Sequence, residues 1–232
     1  AIEKIADIKG SLIIDTAEKY KFEQIKYSLL KQSFMIIAKT SNLIVPNSSI
    51  YEIPLLGDHQ INNAITAYAC IVQLRKFGYE VSDNALANGF SKVEWPGRFE
   101  VIHHKPLVIV DGAHNKDSIR KLRNTIKKYL GSKKVTLIFG ASEDKEVRAM
   151  LQIIRPYIEH FIFTKSEHPR ALGISELVNF AGNLDLKNYS TSEIDNIIPF
   201  ILRKSKHDQV FIASGSIFIA GAIKQLLAEW EK

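Results

Sequence analysis

Hydrophobic positions follow two different rhythms along this chain of 232 residues. After residue 98, short and almost continuously apolar runs alternate with segments in which apolar residues recur at helical spacing. Such runs are typical of strands buried on both faces of a parallel sheet, and the segments between them are typical of covering helices. The pattern therefore predicts an α/β domain with a mainly parallel sheet over residues 99–232.

The elements predicted in this region come in a regular order. Strands are expected in FEVIH (99–103), LVIVD (107–111), KVTLIFG (134–140), HFIFTK (160–165), LKNYS (186–190) and QVFIAS (209–214). Helices are expected over 117–130, 145–154, 174–182, 192–203 and 217–230. Because parallel sheets bind ligands at the carboxyl ends of their strands, each exit from a strand is a candidate site.

Residues 1–98 are less regular. The pattern predicts a strand in GSLIID (10–15), a helix over 18–32, a strand in FMIIA (34–38) and a short strand at 50–53. A long helix follows from Asp58, its predicted N-cap, to a stop at Gly78, and Ser82 caps a second helix. Pro96 and Gly97 break the pattern, so we place a domain boundary after Arg98.

Composition narrows the possible classes of protein. The net charge of +6 permits anionic ligands, but the lysines are scattered without aromatic interleaving, so we expect no nucleic-acid partner. No apolar run reaches the roughly 18 residues of a membrane span, and we expect a cytoplasmic protein with no membrane association. Cys70, the only cysteine, lies in an apolar helical stripe, where we expect a packed core thiol. The chain opens on Ala1 directly into structured sequence, which suggests a fragment.

Three polar side chains follow the second predicted strand of the regular region. Asp111, His114 and Asn115 surround Gly112 and Ala113 on one strand-to-helix turn. Asp and Asn are common helix starters, so a capped turn explains either residue alone. The three groups together at the carboxyl edge of a sheet favour a binding site.

The other strand exits carry weaker signals. The acids of FGASEDK (139–145) are expected to cap the next helix, and Lys165, His168 and Arg170 suit either a solvated loop or an anion. Ser216, in Ser214–Gly215–Ser216, precedes a helix whose N-terminal N–H groups favour an anion.

Two further residues have chemistry that suits a nucleotide. Arg98, next to a rigid Pro-Gly turn, suits phosphate through its planar fork of donors, with a surface ion pair as the alternative. Asn63, in GDHQINNA, offers the donor and acceptor that an adenine edge needs, with helix capping as the alternative. A G-x-x-x-x-G-K-[ST] phosphate-binding loop does not occur in the sequence.

The segments LLGDHQINNA, WPGRFEV, VDGAHN, EDKE and SGSIF occur in an order that resembles folylpolyglutamate synthases and dihydrofolate synthases of the Mur ligase superfamily. The resemblance implies that residues 1–98 are the tail of a P-loop ATPase domain plus a linker. It implies that residues 99–232 are a Rossmann-like C-terminal ligase domain. The P-loop region itself would then be a missing N-terminal partner.

The resemblance also implies residue roles. Asn63 would contact the adenine of ATP, and Arg98 its phosphates. Asp111 would contact both ATP and the glutamate substrate. His114 and Ser216 would place the glutamate. Arg98 and His114 would be the catalytic residues. AIEKIADIKG resembles a segment whose lysine is carbamylated and helps to hold Mg²⁺, which would make Lys4 the metal-binding residue.

The implied reaction is the ATP-dependent addition of L-glutamate to a folate or to dihydropteroate, through an acyl phosphate. A monomer is expected, and the fragment alone is expected to be inactive because it lacks the P-loop. Two alternatives stay open. One is a Mur-type ligase of cell-wall synthesis that joins another amino acid, and the other is a non-catalytic nucleotide-binding remnant.

Overall fold

The computed structural model describes residues 2–40 and 50–230, and the chain divides into two compact units, residues 1–94 and 95–232. This division falls earlier than the boundary expected after Arg98. The reason is hydrogen bonding: Gly112 N donates to Gly97 O at 2.8 Å, and Phe99 N donates to the Asp111 carboxylate at 2.9 Å. The Pro-Gly turn and Arg98 therefore belong to the second unit.

The first unit is a small antiparallel sheet packed against helices. Its strands pair in the order β1-β2-β3, with bounds Tyr20–Tyr27, Gln32–Ala38 and Ile50–Ile53. Its helices are α1 (Ile2–Lys9), α2 (Thr16–Lys19), α3 (Asp58–Lys76) and α4 (Asp83–Ser91). Phe34 and Tyr51 on the sheet pack with Ile65, Tyr68 and Phe90 on the helices. The predicted β2, β3, α3 and α4 are confirmed.

Two sequence predictions in this unit were wrong. Residues 11–15 form no strand, and Leu12 there is largely exposed. The expected helix over 18–32 is instead the short α2, capped by the Asp15 side chain, followed by β1. Strand pairing explains the second error, because β1 lies along β2 from Tyr20↔Ala38 to Tyr27↔Gln32.

Two finer predictions on α3 also need correction. Gly57, with φ 103°, occupies the N-cap position, and Asp58 is the first helical residue. Cys70 is exposed and does not pack in the core. Ser82 caps α4 as predicted, because its side chain accepts from Ala85 N. Gly78, with φ 89°, follows the end of α3 as predicted.

The second unit confirms the predicted α/β class. Its six strands pair in the order β4-β5-β9-β6-β7-β8, and every pair is parallel except β4 with β5. Their bounds are Glu100–His104, Leu107–Val110, Val210–Ser214, Val135–Phe139, Ile158–Phe163 and Tyr189–Thr191 in that order. β5 and β9 are buried at every position, as expected for strands covered on both faces.

The helices of this unit follow their predicted ranges closely. They are α5 (Lys116–Leu130), α6 (Val147–Ile154), α7 (Ile174–Asn183), α8 (Ile197–Lys204) and α9 (Ile217–Trp230). The segment expected to be helical from residue 192 begins with a 3₁₀ turn, Ile194–Asn196, before α8. In one core cluster, Ile138 and Phe211 of the sheet pack with Ile201 and Ile223 of α8 and α9.

Across residues 2–40 and 50–230, no helix combines the length and apolar character needed to cross a membrane.

Candidate active site at the carboxyl edge of the sheet

Three loops of the second unit meet at the carboxyl edge of its sheet. β5 and β9 are parallel neighbours with Val110 opposite Ala213, so the chain leaves both strands side by side. Gly215 N donates to Ala113 O at 2.9 Å, and the turn at residues 97–99 is bonded to the 111–115 turn. This arrangement brings together the segments that carry four predicted site residues, Arg98, Asp111, His114 and Ser216.

Two glycines allow the loops to approach this closely. A Cβ on Gly112 would lie 2.7 Å from Ile217 Cδ1 and 3.2 Å from Arg98 Nη1. A Cβ on Gly215 would lie 2.5 Å from the Gly140 carbonyl oxygen, and Gly215 has φ 97°, which L side chains rarely adopt. The Arg98 guanidinium therefore lies directly against the backbone of the 111–115 turn.

The Asp111 carboxylate holds two parts of the site together. Its oxygens accept from Phe99 N and from Ala113 N, each at 2.9 Å. Burial raises the pKa of Asp111 to about 6, although these two hydrogen bonds and the nearby Arg98 and His114 act to lower it. Asp111 is therefore mostly ionised at neutral pH, and it acts as an anchor for the site backbone.

The His114 side chain is exposed but has a defined tautomer. Its Nδ1 lies 2.8 Å from Gly112 O, and a carbonyl oxygen can only accept, so Nδ1 carries a proton. In the neutral ring Nε2 is then the acceptor, available to a ligand. Asn115 caps α5, as a capped turn predicts, because its side chain accepts from Ser118 N in a capping box at the start of the helix.

The Arg98 guanidinium has no hydrogen bond or ion pair with any residue in the described ranges. It is half-buried, so the surface ion pair considered as its alternative role is not observed in that part of the chain. Ser216 is only 6% exposed, and its Oγ accepts from Phe218 N at 3.2 Å at the start of α9. Arg98 is thus a cationic side chain near the N-terminus of α9 that has no partner in the part of the chain that the structure describes.

Sequence reasoning missed one contact at this edge. The His168 ring stacks on Phe218, with centroids 3.8 Å apart and planes 19° apart, and both line a cavity of about 550 Å³. Nothing in the local sequence joins two residues so far apart in the chain. The expectation that the acids of FGASEDK, Glu143 and Asp144, cap α6 was wrong. The N-cap is Glu146, just beyond that segment, and it makes no side-chain capping bond, while Asp144 pairs with Lys145.

Asn63 and Lys4 belong to the first unit. Asn63 is exposed on α3, and its Nδ2 donates to Gln60 Oε1 at 3.0 Å. Lys4 is exposed on α1. Within residues 2–40 and 50–230, no group of three or more His, Cys, Asp and Glu side chains is placed to hold a metal ion.

A mainly parallel α/β unit with an arginine, an aspartate, a histidine and a serine at its carboxyl edge has the architecture of the doubly wound class, in which ligands bind at that edge. Comparison with known proteins specifies that class further. Residues 97–217 match the family described as Mur ligase, glutamate ligase domain. The chain belongs to the Mur ligase family, and the resemblance drawn from its sequence motifs is confirmed.

Individual relatives agree with this assignment. The dihydrofolate synthase/folylpolyglutamate synthase of Bacillus subtilis is 30% identical over 174 residues, which cover 75% of this chain and 40% of the relative. Escherichia coli FolC, solved in complex with DHPP and ADP, superposes with a TM-score of 0.80 at 22% identity, covering 100% of this chain and 51% of that one. Folylpolyglutamate synthase of Thermotoga maritima gives a TM-score of 0.73 at 24% identity, covering 100% and 53%. The chain thus spans about half the length of these relatives or less.

Proposed function

We propose that this chain is the nucleotide- and glutamate-binding part of an ATP-dependent ligase that adds L-glutamate to a folate or to dihydropteroate. The observation that carries the proposal is the Arg98 guanidinium beside the Asp111 and His114 turn, with no hydrogen bond or ion pair to residues 2–40 or 50–230. An arginine held without a protein partner suits a phosphate oxygen. The structure of the Escherichia coli relative contains ADP, which supports a nucleotide as a ligand of this chain.

The proposed reaction begins at a carboxylate of the acceptor. A carboxylate oxygen attacks the γ-phosphorus of ATP, so that ADP leaves and an acyl phosphate forms. The amine of glutamate then attacks the acyl carbon, phosphate leaves, and the nitrogen loses a proton. Arg98 stabilises the charge that develops on the transferred phosphoryl group.

His114 has the geometry to orient the amine in the second step. Because Nδ1 donates to Gly112 O, the free Nε2 accepts an N–H of the incoming glutamate and directs its lone pair towards the acyl carbon. The glutamate carboxylates are attracted to Arg98 and to the N-terminus of α9 at Ser216. Asp111 positions these groups through the backbone of residues 97–99 and 111–113.

The residues at this edge fit a nucleotide anion but do not by themselves fit Mg²⁺. Among the four site residues gathered there, the one carboxylate, Asp111, already accepts two backbone hydrogen bonds. Mg²⁺ prefers several oxygen ligands and is usually bound by carboxylates together with substrate phosphates. The ligands would therefore come from elsewhere, and a carbamylated Lys4 remains our proposal for one of them.

The first unit has a separate part in the proposal. We assign it to the remainder of a P-loop ATPase domain, with Asn63 in contact with adenine. The family match begins only at residue 97, which is consistent with a different origin for the preceding residues. On this proposal catalysis needs a P-loop half that precedes Ala1, and residues 1–232 alone bind ligands without turnover.

The test uses the gene upstream of the codon for Ala1 and the longer product that it encodes. We expect a G-x-x-G-K-[ST] loop upstream, and release of phosphate that depends on ATP, glutamate and a folate acceptor. Turnover by residues 1–232 alone would overturn the requirement for the missing half. Activity with a UDP-muramyl acceptor and none with folates would instead support a cell-wall ligase, as in the Helicobacter pylori diaminopimelate ligase, 29% identical over 54% of this chain.

A further inference from the structure

The positive charge of this protein is concentrated in one segment. Residues 116–134 contain eight lysines and arginines against a single acid, Asp117, and so carry a net charge of +7. The whole chain carries +6, so the remaining residues together are close to neutral. A local excess of this size creates a field that attracts anions to one surface of the second unit.

Most of these charges lie on the outer side of α5. Its inner side is buried through Ile119, Leu122, Ile126 and Leu130. Lys116, Arg120, Arg123 and Lys127, which we call the basic stripe, follow one another at intervals of four, three and four residues. Residues at these intervals lie above one another on a single face of a helix, so the stripe is a continuous row.

Three members of the basic stripe have no neutralising partner among the described residues. Arg120 and Lys127 are exposed and make no ion pair there, and the Arg123 guanidinium bonds only the Asn124 amide oxygen, at 3.3 Å. Lys116, at the start of the stripe, pairs with Glu146 at 2.7 Å. Like charges at such intervals destabilise a helix, which points to a role in binding.

The side chains around the basic stripe indicate which class of anionic partner can bind there. None of the large apolar side chains exposed on the described residues comes from 116–134, so the helix offers nothing to insert into a lipid surface. Tyr129 packs against Phe99, with ring centroids 6.1 Å apart, and does not offer a platform for stacking bases. A row of cations without apolar or stacking neighbours suits a flexible chain of carboxylates, which needs only charge and spacing from its partner.

We propose that the basic stripe binds the γ-linked glutamyl tail of an acceptor that already carries several glutamates. This inference rests on the proposed function and adds to it a preference for acceptors with a long glutamyl tail. α5 begins at Lys116, immediately after Asn115, so the stripe starts at the candidate active site. Its members rise along the helix by about 4.5 to 6 Å per step. A γ-glutamyl unit spans roughly 6 Å when extended, judged from standard bond lengths, and carries one carboxylate.

The direct test measures binding of fluorescein-labelled hexa-γ-glutamate to residues 1–232 by fluorescence anisotropy at low salt. In the triple variant R120Q/R123Q/K127Q we expect the Kd to rise by about tenfold or more, with binding that weakens as salt is added. The control K21Q/K26Q/K76Q removes the same charge from exposed lysines of the first unit, and we expect less than a twofold change. An equal loss in both variants would overturn the proposal.

Three further measurements separate the alternatives. α-Linked hexaglutamate has the same charge but a repeat of about 3.5 Å, so we expect weaker binding, and equal binding of both isomers would contradict the proposed spacing. The same assay is made with an RNA oligomer and with phosphatidylserine vesicles. If either binds through the stripe more tightly than the peptide does, the proposal would also be overturned. In the longer protein, the triple variant should raise KM for a hexaglutamyl acceptor several-fold and leave a monoglutamyl acceptor unchanged. If the unmodified longer protein shows no activity with folates but still binds the peptide through the stripe, the proposed function would be overturned and the binding role of the stripe would stand.

Discussion

The Asp111 carboxylate accepts a hydrogen bond from the backbone N–H of Phe99 at 2.9 Å, and Phe99 has the unusual φ of 46°. A bulky residue in the left-handed region is strained, so other contacts must hold it there. The Phe99 ring is 2% exposed and packs against Tyr129, while its N–H is fixed by Asp111. Asp111 thus connects a strained residue next to Arg98 to the turn that carries His114.

Replacing Asp111 with Asn should destabilise the second unit by about 1–3 kcal/mol, because both oxygens of a carboxyl group have lone pairs for the two N–H donors whether it is ionised or protonated, whereas the amide has only one oxygen. The N–H of Phe99 or of Ala113 then faces an NH₂ group or nothing. Urea unfolding of residues 1–232, followed by circular dichroism, measures the change. Asp208→Asn, in an exposed turn, is the matched control and should change stability by less than about 0.5 kcal/mol. An equal effect of the two variants would argue against the anchoring role.

The pH dependence of stability should also report Asp111. Its pKa is raised to about 6 in the folded chain, above the ordinary value of 3.8, so between these values the folded state binds more protons than the unfolded state. This residue's contribution to the free energy of unfolding is therefore greatest below pH 4 and falls as the pH rises through 6. Because the residue as a whole is of intermediate exposure although burial dominates at its carboxylate, solvent screening reduces the effect, and we expect the fall to be on the order of 1–2 kcal/mol.

The matching measurement compares the wild-type chain and Asp111→Asn between pH 4 and 7. The destabilisation caused by the variant should be smaller at pH 7 than at pH 4, since the wild-type chain alone loses stability across that range. NMR of the side-chain carboxyl should give a midpoint near 6. A midpoint near 4, or a difference between the two proteins that does not change with pH, would contradict the burial of the carboxylate.

Sequence patterns predicted the second unit well and the first unit less well, for a physical reason. The strands of the second unit are buried on both faces, so nearly all their residues are apolar and few other structures suit them. β1 is half-exposed, and Phe22, Ile25 and Leu29 happen to recur at helical spacing. Pairing with β2 outweighed that spacing, which local propensity cannot anticipate. Cys70 falls just outside the buried stripe of α3 that ends at Tyr68 and Ala69.

The sheet topology made it possible to predict which segments meet at the candidate site. Parallel strands place their carboxyl ends at one edge, and this rule brings Asp111, His114 and Ser216 together from separate segments. The partners of these residues were not predictable. The stacking of His168 on Phe218 and the bond from Phe99 to Asp111 depend on loop conformations that no local pattern encodes. The same limit applies to the positive φ of Phe99.

Adding a single methyl group at Gly112 should disturb the site without changing its charge. In Gly112→Ala the new Cβ would meet Ile217 Cδ1 at 2.7 Å, and we expect a loss of about 1–3 kcal/mol in stability. Ile217→Val removes that Cδ1 atom, so the double variant should recover much of the loss. Gly89→Ala, in α4 with open space around it, should instead stabilise by about 0.5–1 kcal/mol. No recovery in the double variant would show that Ile217 is not the obstacle.

Arg98 gives the sharpest test of the proposed chemistry, because its guanidinium makes no ion pair with the described residues and its removal should leave the fold intact. In the longer protein, Arg98→Ala should lower kcat by about 10²-fold or more, since a cation that stabilises transition-state charge contributes several kcal/mol. Arg98→Lys keeps the charge but loses the planar fork, and should retain an intermediate activity. Arg148→Ala, an exposed arginine on α6, is the control and should retain full turnover. Steady-state kinetics with unfolding curves for each variant separate the two effects. Unchanged turnover in a folded Arg98→Ala protein would remove the phosphate role from Arg98.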